Sequence, residues 1–239
     1  MTRLHREVMD QLTASIVSGR APVGSLLPRE VDLAEQYGVS RGVARETIRA
    51  MEERGLIAVR HGRGAVVNAE RDWDMLAPEV LSALLATDAG PAVLAQYIDS
   101  RRIIEVEAVS LAATRAEPDD IARLEDSMTA MAAVAERSEL GDSIAEQRFH
   151  EADLAFHQNI FAAARNQVLA SLVRRIHEAL YIARMPLARP QNRVQRALPE
   201  HQAILDAIRA HDPEAARAAM SAHLDTVAGY LGENISARA

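Results

Sequence analysis

The sequence has no cysteine and no lysine, and only one tryptophan, four tyrosines and three phenylalanines. Without cysteine there is no disulfide framework and no thiolate metal site, which suits a reducing cytoplasmic compartment. Aromatics make up 3% of the 239 residues against 49% apolar residues overall. A core of Ala, Leu, Ile, Val and Met favours packed helices over a β-sandwich. No uncharged apolar run approaches the roughly 18 residues of a membrane span. The opening MTRLHREV is charged and lacks the apolar stretch of a signal peptide, so none is expected. The missing lysine is a composition bias of the kind a GC-rich genome produces.

Charge is unevenly spread. The chain carries a net −7, yet residues 1–68 hold 10 Arg against 8 acids, while the rest holds 17 Arg against 26 acids. A basic first segment and an acidic remainder point to two domains, only the first suited to a polyanion. Within that first segment, SRGVARETIRAMEER spaces Arg41, Arg45 and Arg49 four apart, one stripe of a helix. Ala44, Ile48 and Met51 form an apolar stripe beside it. Upstream, LAEQYGVS reads as a short amphipathic helix stopped by Gly38, with Ser40 capping the helix that follows. Helix, glycine turn and helix form a helix-turn-helix signature. Two short β-branched runs, LIAVR and AVVN, flank His61-Gly62-Arg63-Gly64 and predict a basic hairpin, or wing.

The expected fold is mainly α: a winged helix-turn-helix over 1–68, a linker over 69–77, and an all-helical bundle of six to seven helices over 78–239. A first helix is expected over 4–18, with Leu4, Val8, Leu12 and Ile16 buried and His5 exposed. Trp73 is expected to pack at the domain junction. Helices are expected near 78–87, 91–116, 118–137, 142–164, 166–185, 199–211 and 213–236. Pro91, Pro118, Pro199 and Pro213 fall at their starts, where a missing N–H costs nothing.

In the helical part, the apolar row Phe149, Phe156, Ile160 is interrupted by Asp153 and His157. His201 leads the inner face of Ile204, Leu205 and Ile208, and His223 lies between Met220 and Val227. A buried carboxylate needs a partner. Each histidine alone reads as a hydrogen-bonded core residue, and Asp153 with His157 as an intrahelical pair. Four inward groups together suit zinc, nickel or manganese, with positions left for a ligand. His150, His177 and His211 read as surface or core.

Residues 4–68 resemble the winged-helix domain of GntR-type transcriptional regulators through LPRE, LAEQYGVSR, VARETIR, GLI and HGRGAVV. The resemblance implies DNA contacts by Ser40, Arg41, Arg45, His61 and Gly62; Arg49 and Arg63 join them from the stripe and the wing tip. Two departures stand out. Arg29 replaces the usual capping serine, and Val31 replaces an arginine that contacts phosphate in many relatives. Residues 91–231 resemble the FCD effector domain of the FadR subfamily through RRIIEVEAVSLAA, DLAFHQNIFAAARN, EHQAILDAI and AAMSAHL. That resemblance implies metal ligation by Asp153, His157, His201 and His223, and an acidic effector anchored by Arg101. The other reading of Arg101 is a surface ion pair with Glu105.

Three functions compete. The first is an effector-responsive regulator, a repressor by family habit, binding a palindromic double-stranded operator as a homodimer and responding to a small sugar acid or hydroxy acid. The second is a metal-dependent hydrolase with an accessory winged helix; no serine or second carboxylate stands at useful spacing to serve as its base. The third is an architectural DNA binder, which has no use for buried His and Asp. The first accounts for both halves of the chain.

Overall fold

The computed structural model describes residues 3–139, 141–182 and 193–236. These residues form ten α-helices, a short 3-10 turn and one two-stranded antiparallel sheet. They divide into two compact units, the first consisting chiefly of the chain through Val93, the second starting at Leu94.

The first unit contains α1 (Arg3–Val17), α2 (Glu30–Tyr37), α3 (Arg41–Glu53), β1 (Ile57–Arg60), β2 (Gly64–Val67), the 3-10 turn (Glu70–Asp72) and α4 (Pro78–Leu85). Helix α1 packs on α3 and α4, and α2 packs on α3. The buried face of α1 is His5, Val8, Met9, Leu12, Thr13 and Ile16, while Leu4 is 52% exposed. This reverses the expectation for Leu4 and His5. The face that continues through Met9 and Thr13 has a period that reaches back to His5, leaving Leu4 on its margin.

Gly38 closes α2 with φ 63° and ψ 33°. That left-handed geometry is the turn of the helix-turn-helix. Ser40 then caps α3, its Oγ accepting from Val43 N at 3.2 Å. At the start of α2, Arg29 has no acceptor to offer as a cap. Asp32 compensates in reverse, accepting from Arg29 N at 3.3 Å and Arg29 Nε at 3.0 Å.

The hairpin pairs Ile57 with Val67 and Arg60 with Gly64. The preceding loop lies along β2, Leu27 N donating to Ala65 O at 2.9 Å and Val67 N to Ser25 O at 2.9 Å. Val59 N donates to Glu52 Oε1 at 3.0 Å, tying the wing to α3. The segment after the wing folds back on the same unit. Asp74 N donates to Arg54 O at 2.8 Å, Trp73 Nε1 to Asn68 O at 3.3 Å, and Arg54 pairs with Glu79 of α4 at 3.3 Å. Gly55 permits this return: a Cβ there would stand 1.9 Å from Asp72 O, and its φ is +69°. The sequence assigned residues 78–87 to the bundle, but α4 packs on α1 within the first unit.

Six further helices follow: α5 (Gly90–Arg115), α6 (Pro118–Glu139), α7 (Ser143–Ala163), α8 (Gln167–Ile182), α9 (Arg193–Arg209) and α10 (Pro213–Ser236). Asp142 caps α7 through Ile144 N and Ala145 N, and Asp212 caps α10 through Glu214 N and Ala215 N. Helix α6 packs on α7 and α9, and α9 on α10. All three phenylalanines of the chain lie on α7, and all are buried. Pro199 does not begin a helix; α9 starts at Arg193 and carries it inside. The missing N–H removes one intrahelical bond, a loss outweighed by the burial of Val194 and Ala197 before it and of Ile204, Leu205 and Ile208 after it. Residues 183–185 of the predicted eighth helix lie outside the described residues. Among the described residues no helix is long and apolar enough to cross a membrane.

Candidate functional site

In the second unit, α7, α9 and α10 bring His157, His201 and His223 together. One ring nitrogen of each lies within 4.8 Å of the others. His157 Nε2 and His201 Nε2 are 3.4 Å apart, and Asp153 Oδ1 stands 3.1 Å from His201 Nε2. The four residues singled out from the sequence therefore share one site. All three imidazoles are buried, with Phe156 edge-on to His201 at 4.9 Å.

The outer nitrogens decide what the inner ones can do. His201 Nδ1 lies 2.7 Å from Ala197 O, and His223 Nδ1 lies 3.0 Å from Glu200 Oε2. A carbonyl or a carboxylate only accepts, so Nδ1 carries the proton in both rings and Nε2 keeps its lone pair. His157 Nδ1 faces Glu105 Oε2 at 3.4 Å, without the alignment of a hydrogen bond. Lone pairs of imidazoles and a carboxylate thus converge. Such a set needs either a proton on one of its members or a cation among them. Atoms about 2.1 Å from one ion stand roughly 3.0 Å apart at right angles and 3.4 Å apart at a tetrahedral angle. The separations of 3.1 and 3.4 Å match those edges. The three ring nitrogens all lie within 4.8 Å of one another, a bound close to the roughly 4.2 Å between opposite ligands of one ion. The residues fit a divalent metal.

Burial keeps His157 and His223 neutral, the form that ligates. It pushes His157 down to about 3, against the pull of Glu105 and Asp153, and lowers His223 against the hydrogen bond to Glu200. Burial also opposes the charge on Glu105, but Arg101 first, then the neighbouring imidazoles of His177 and His157, hold it well below the usual carboxylate range. The stability consequence has one sign. The unfolded chain binds protons that the fold refuses, from the ordinary histidine value near 6.5 downward. The metal-free protein is therefore expected to hold full stability above about pH 6.5 and to lose it steadily toward about pH 3. Urea midpoints at about pH 7.5 and about pH 5 test this, and equal midpoints contradict it.

In the first unit, Arg41, Arg45 and Arg49 are exposed along α3, opposite the buried Ala44, Thr47, Ile48 and Met51. Arg49 pairs with Glu53 at 3.1 Å. His61, Gly62 and Arg63 are exposed at the wing tip. This is an exposed basic helix face beside a basic turn, the form that enters a major groove.

Residues 4–67 match the bacterial regulatory proteins of the gntR family. Residues 96–226 match the FCD domain. The chain belongs to the GntR family, with an FCD domain. It is a DNA-binding transcriptional regulator. The galactonate operon transcriptional repressor of Escherichia coli K12 is 31% identical over 87% of this chain and 88% of its own length. The regulator LutR of Bacillus subtilis is 29% identical over 92% and 99%. A solved structure titled for Lar, which controls expression of the Listeria monocytogenes agr system, shares the fold with a TM-score of 0.69 at 17% identity, covering 98% of each chain.

Within this GntR-family chain, Arg101 of α5 is not at the surface. Its side chain is 11% exposed and its guanidinium reaches Glu105 at 2.6 Å. Three residues around the triad were not singled out as site residues from the sequence. Glu105 is fully buried and takes Arg101 and His177. Glu200 orients His223 and accepts from Thr226 at 2.7 Å. His177, left as surface or core, is buried at 2.7 Å from Glu105. The bundle therefore does hold a second carboxylate beside the site, though Arg101 and His177 occupy it. His150 lies 3.9 Å from Asp153, and His211 Nδ1 meets Ala113 O at 2.8 Å.

Proposed function

We propose that the FCD domain of this regulator senses a small carboxylate through a divalent ion held by Asp153, His157, His201 and His223. The observation carrying this reading is the convergence of Nε2 lone pairs, with Nδ1 of His201 and His223 bonded to fixed acceptors. Nitrogen and oxygen donors without sulfur suit zinc first, with nickel and manganese accepted by the same set. The ion would supply a Lewis-acid position for a carboxylate or hydroxyl oxygen. Arg101 anchors the same ligand: Nε and Nη2 face Glu105, which leaves the Nη1 edge for a charge-assisted contact. A sugar acid or short hydroxy acid is the effector class. A 31%-identical relative named for a galactonate operon supports it.

On the DNA side, Ser40, Arg41, Arg45, Arg49, His61, Gly62 and Arg63 form the contact surface. The protein acts as a homodimer on a palindromic operator, because one winged helix offers too little surface for tight specific binding. Effector binding shifts the paired winged helices and releases DNA, making the protein a repressor. Arg45 stands mid-stripe, so Arg45→Ala is expected to weaken operator binding by about 1–3 kcal/mol and scrambled DNA less. A mobility shift with operator and scrambled duplex reads both, and unchanged operator affinity removes Arg45 from the interface.

Fluorescence anisotropy of a labelled operator tests the sensing. Galactonate, lactate, a dicarboxylate and a long-chain acyl thioester are added in turn to metal-loaded protein. Release by a sugar acid or hydroxy acid is expected, together with its loss in Arg101→Lys, which keeps the charge but not the fork. Release by the acyl thioester alone, or an unaltered response in Arg101→Lys, contradicts the assignment.

A further inference from the structure

We infer that Glu105 is the positioning residue of the proposed metal site, a buried carboxylate that selects the tautomer of His157 and stands between that ring and Arg101. The inference rests on the metal reading above and adds the element that joins the ion to the acid's anchor. Glu105 lies on α5, outside the helices that carry the four proposed ligands. Its Oε1 accepts from Arg101 Nε at 2.6 Å and from His177 Nε2 at 2.7 Å. Its Oε2 faces Arg101 Nη2 at 3.4 Å and His157 Nδ1 at 3.4 Å.

An ionised carboxylate has no proton to donate, so every group that hydrogen-bonds to it must bring one. For His177 this puts the proton on Nε2. His157 Nδ1 stands 3.4 Å from Oε2 without the alignment of a hydrogen bond; the negative charge facing it favours the proton on Nδ1 and the lone pair on Nε2, the atom that faces His201 Nε2. The other two rings are fixed without reference to Arg101, His201 by the Ala197 carbonyl and His223 by Glu200. Through Glu105 a proposed ligand and the proposed acid anchor share a neighbour.

Glutamine at this position keeps the shape and adds a donor. If its amide N–H₂ turns toward Arg101 it meets another donor. If it turns toward His157, Nδ1 must accept and Nε2 must carry the proton, which blocks ligation. Outer partners of metal-bound histidines typically govern affinity by about 10- to 100-fold.

The test measures zinc affinity by competition with a chromophoric chelator, alongside the melting temperature of the metal-free proteins. Glu105→Gln is expected to weaken zinc binding by about 10- to 100-fold relative to the parent. The paired change Arg101→Met with Glu105→Leu removes cation and anion together, so it serves where the single variant fails to fold. It is expected to show the same loss. A purely structural role lowers the melting temperature and leaves the zinc affinity of the folded protein unchanged. Variants that bind zinc within about twofold of a zinc-binding parent overturn the role of Glu105. A parent that takes no zinc overturns the metal reading itself.

Discussion

Arg101→Ala is expected to cost the helical unit about 3–5 kcal/mol, the loss typical of breaking a buried ion pair from one side. The guanidinium is 11% exposed and the carboxylate it serves not at all. Its removal leaves Glu105 in the interior with two imidazoles and no full cation. Taking out both charges is far milder, because neither is left uncompensated. Arg101→Met with Glu105→Leu should therefore recover most of the loss. Urea denaturation of the metal-free proteins measures this, read as two transitions if the units unfold separately. A loss below about 1 kcal/mol for Arg101→Ala contradicts the buried-pair account. The same argument explains why Arg101→Lys, not Arg101→Ala, is the variant for the effector assay.

Removal of the metal is the second large effect. An ion bound only by the folded state adds about 4 kcal/mol when present at a thousand times its dissociation constant. For a chain of this size that is a melting temperature on the order of 10 °C higher. Chelation is expected to remove the increment, and His201→Ala, which deletes a buried ligand, is expected to melt alike with and without chelator. A parent whose melting temperature ignores both chelator and added zinc leaves the three histidines as core residues.

Much of this was legible in the sequence because it is local. The Arg41, Arg45, Arg49 stripe, the Gly38 stop and the Ser40 cap each depend on spacings of a few residues, and each appears in the structure. Pro213 marked the start of α10 for the same reason. Asp153 and the three histidines were visible because they interrupt apolar rows. Glu105 was not. Helix α5 carries apolar residues on several faces, so a carboxylate on it reads as solvated, and its nearest imidazole is 72 positions away in the chain. Glu200 was hidden likewise, since it precedes His201 and its role depends on α10. Pro199 misled because a start signal and an interior proline look alike until packing decides. His5 and Leu4 exchanged roles because an adjacent pair differs by one step around the helix, and only tertiary contacts choose between them.

The most direct measurement of the central claim is the metal content of protein purified without an immobilised-metal column. Elemental analysis should find about one divalent ion of the zinc class per parent chain and almost none in His201→Ala. A parent chain free of metal that also fails to take up added zinc would contradict the account.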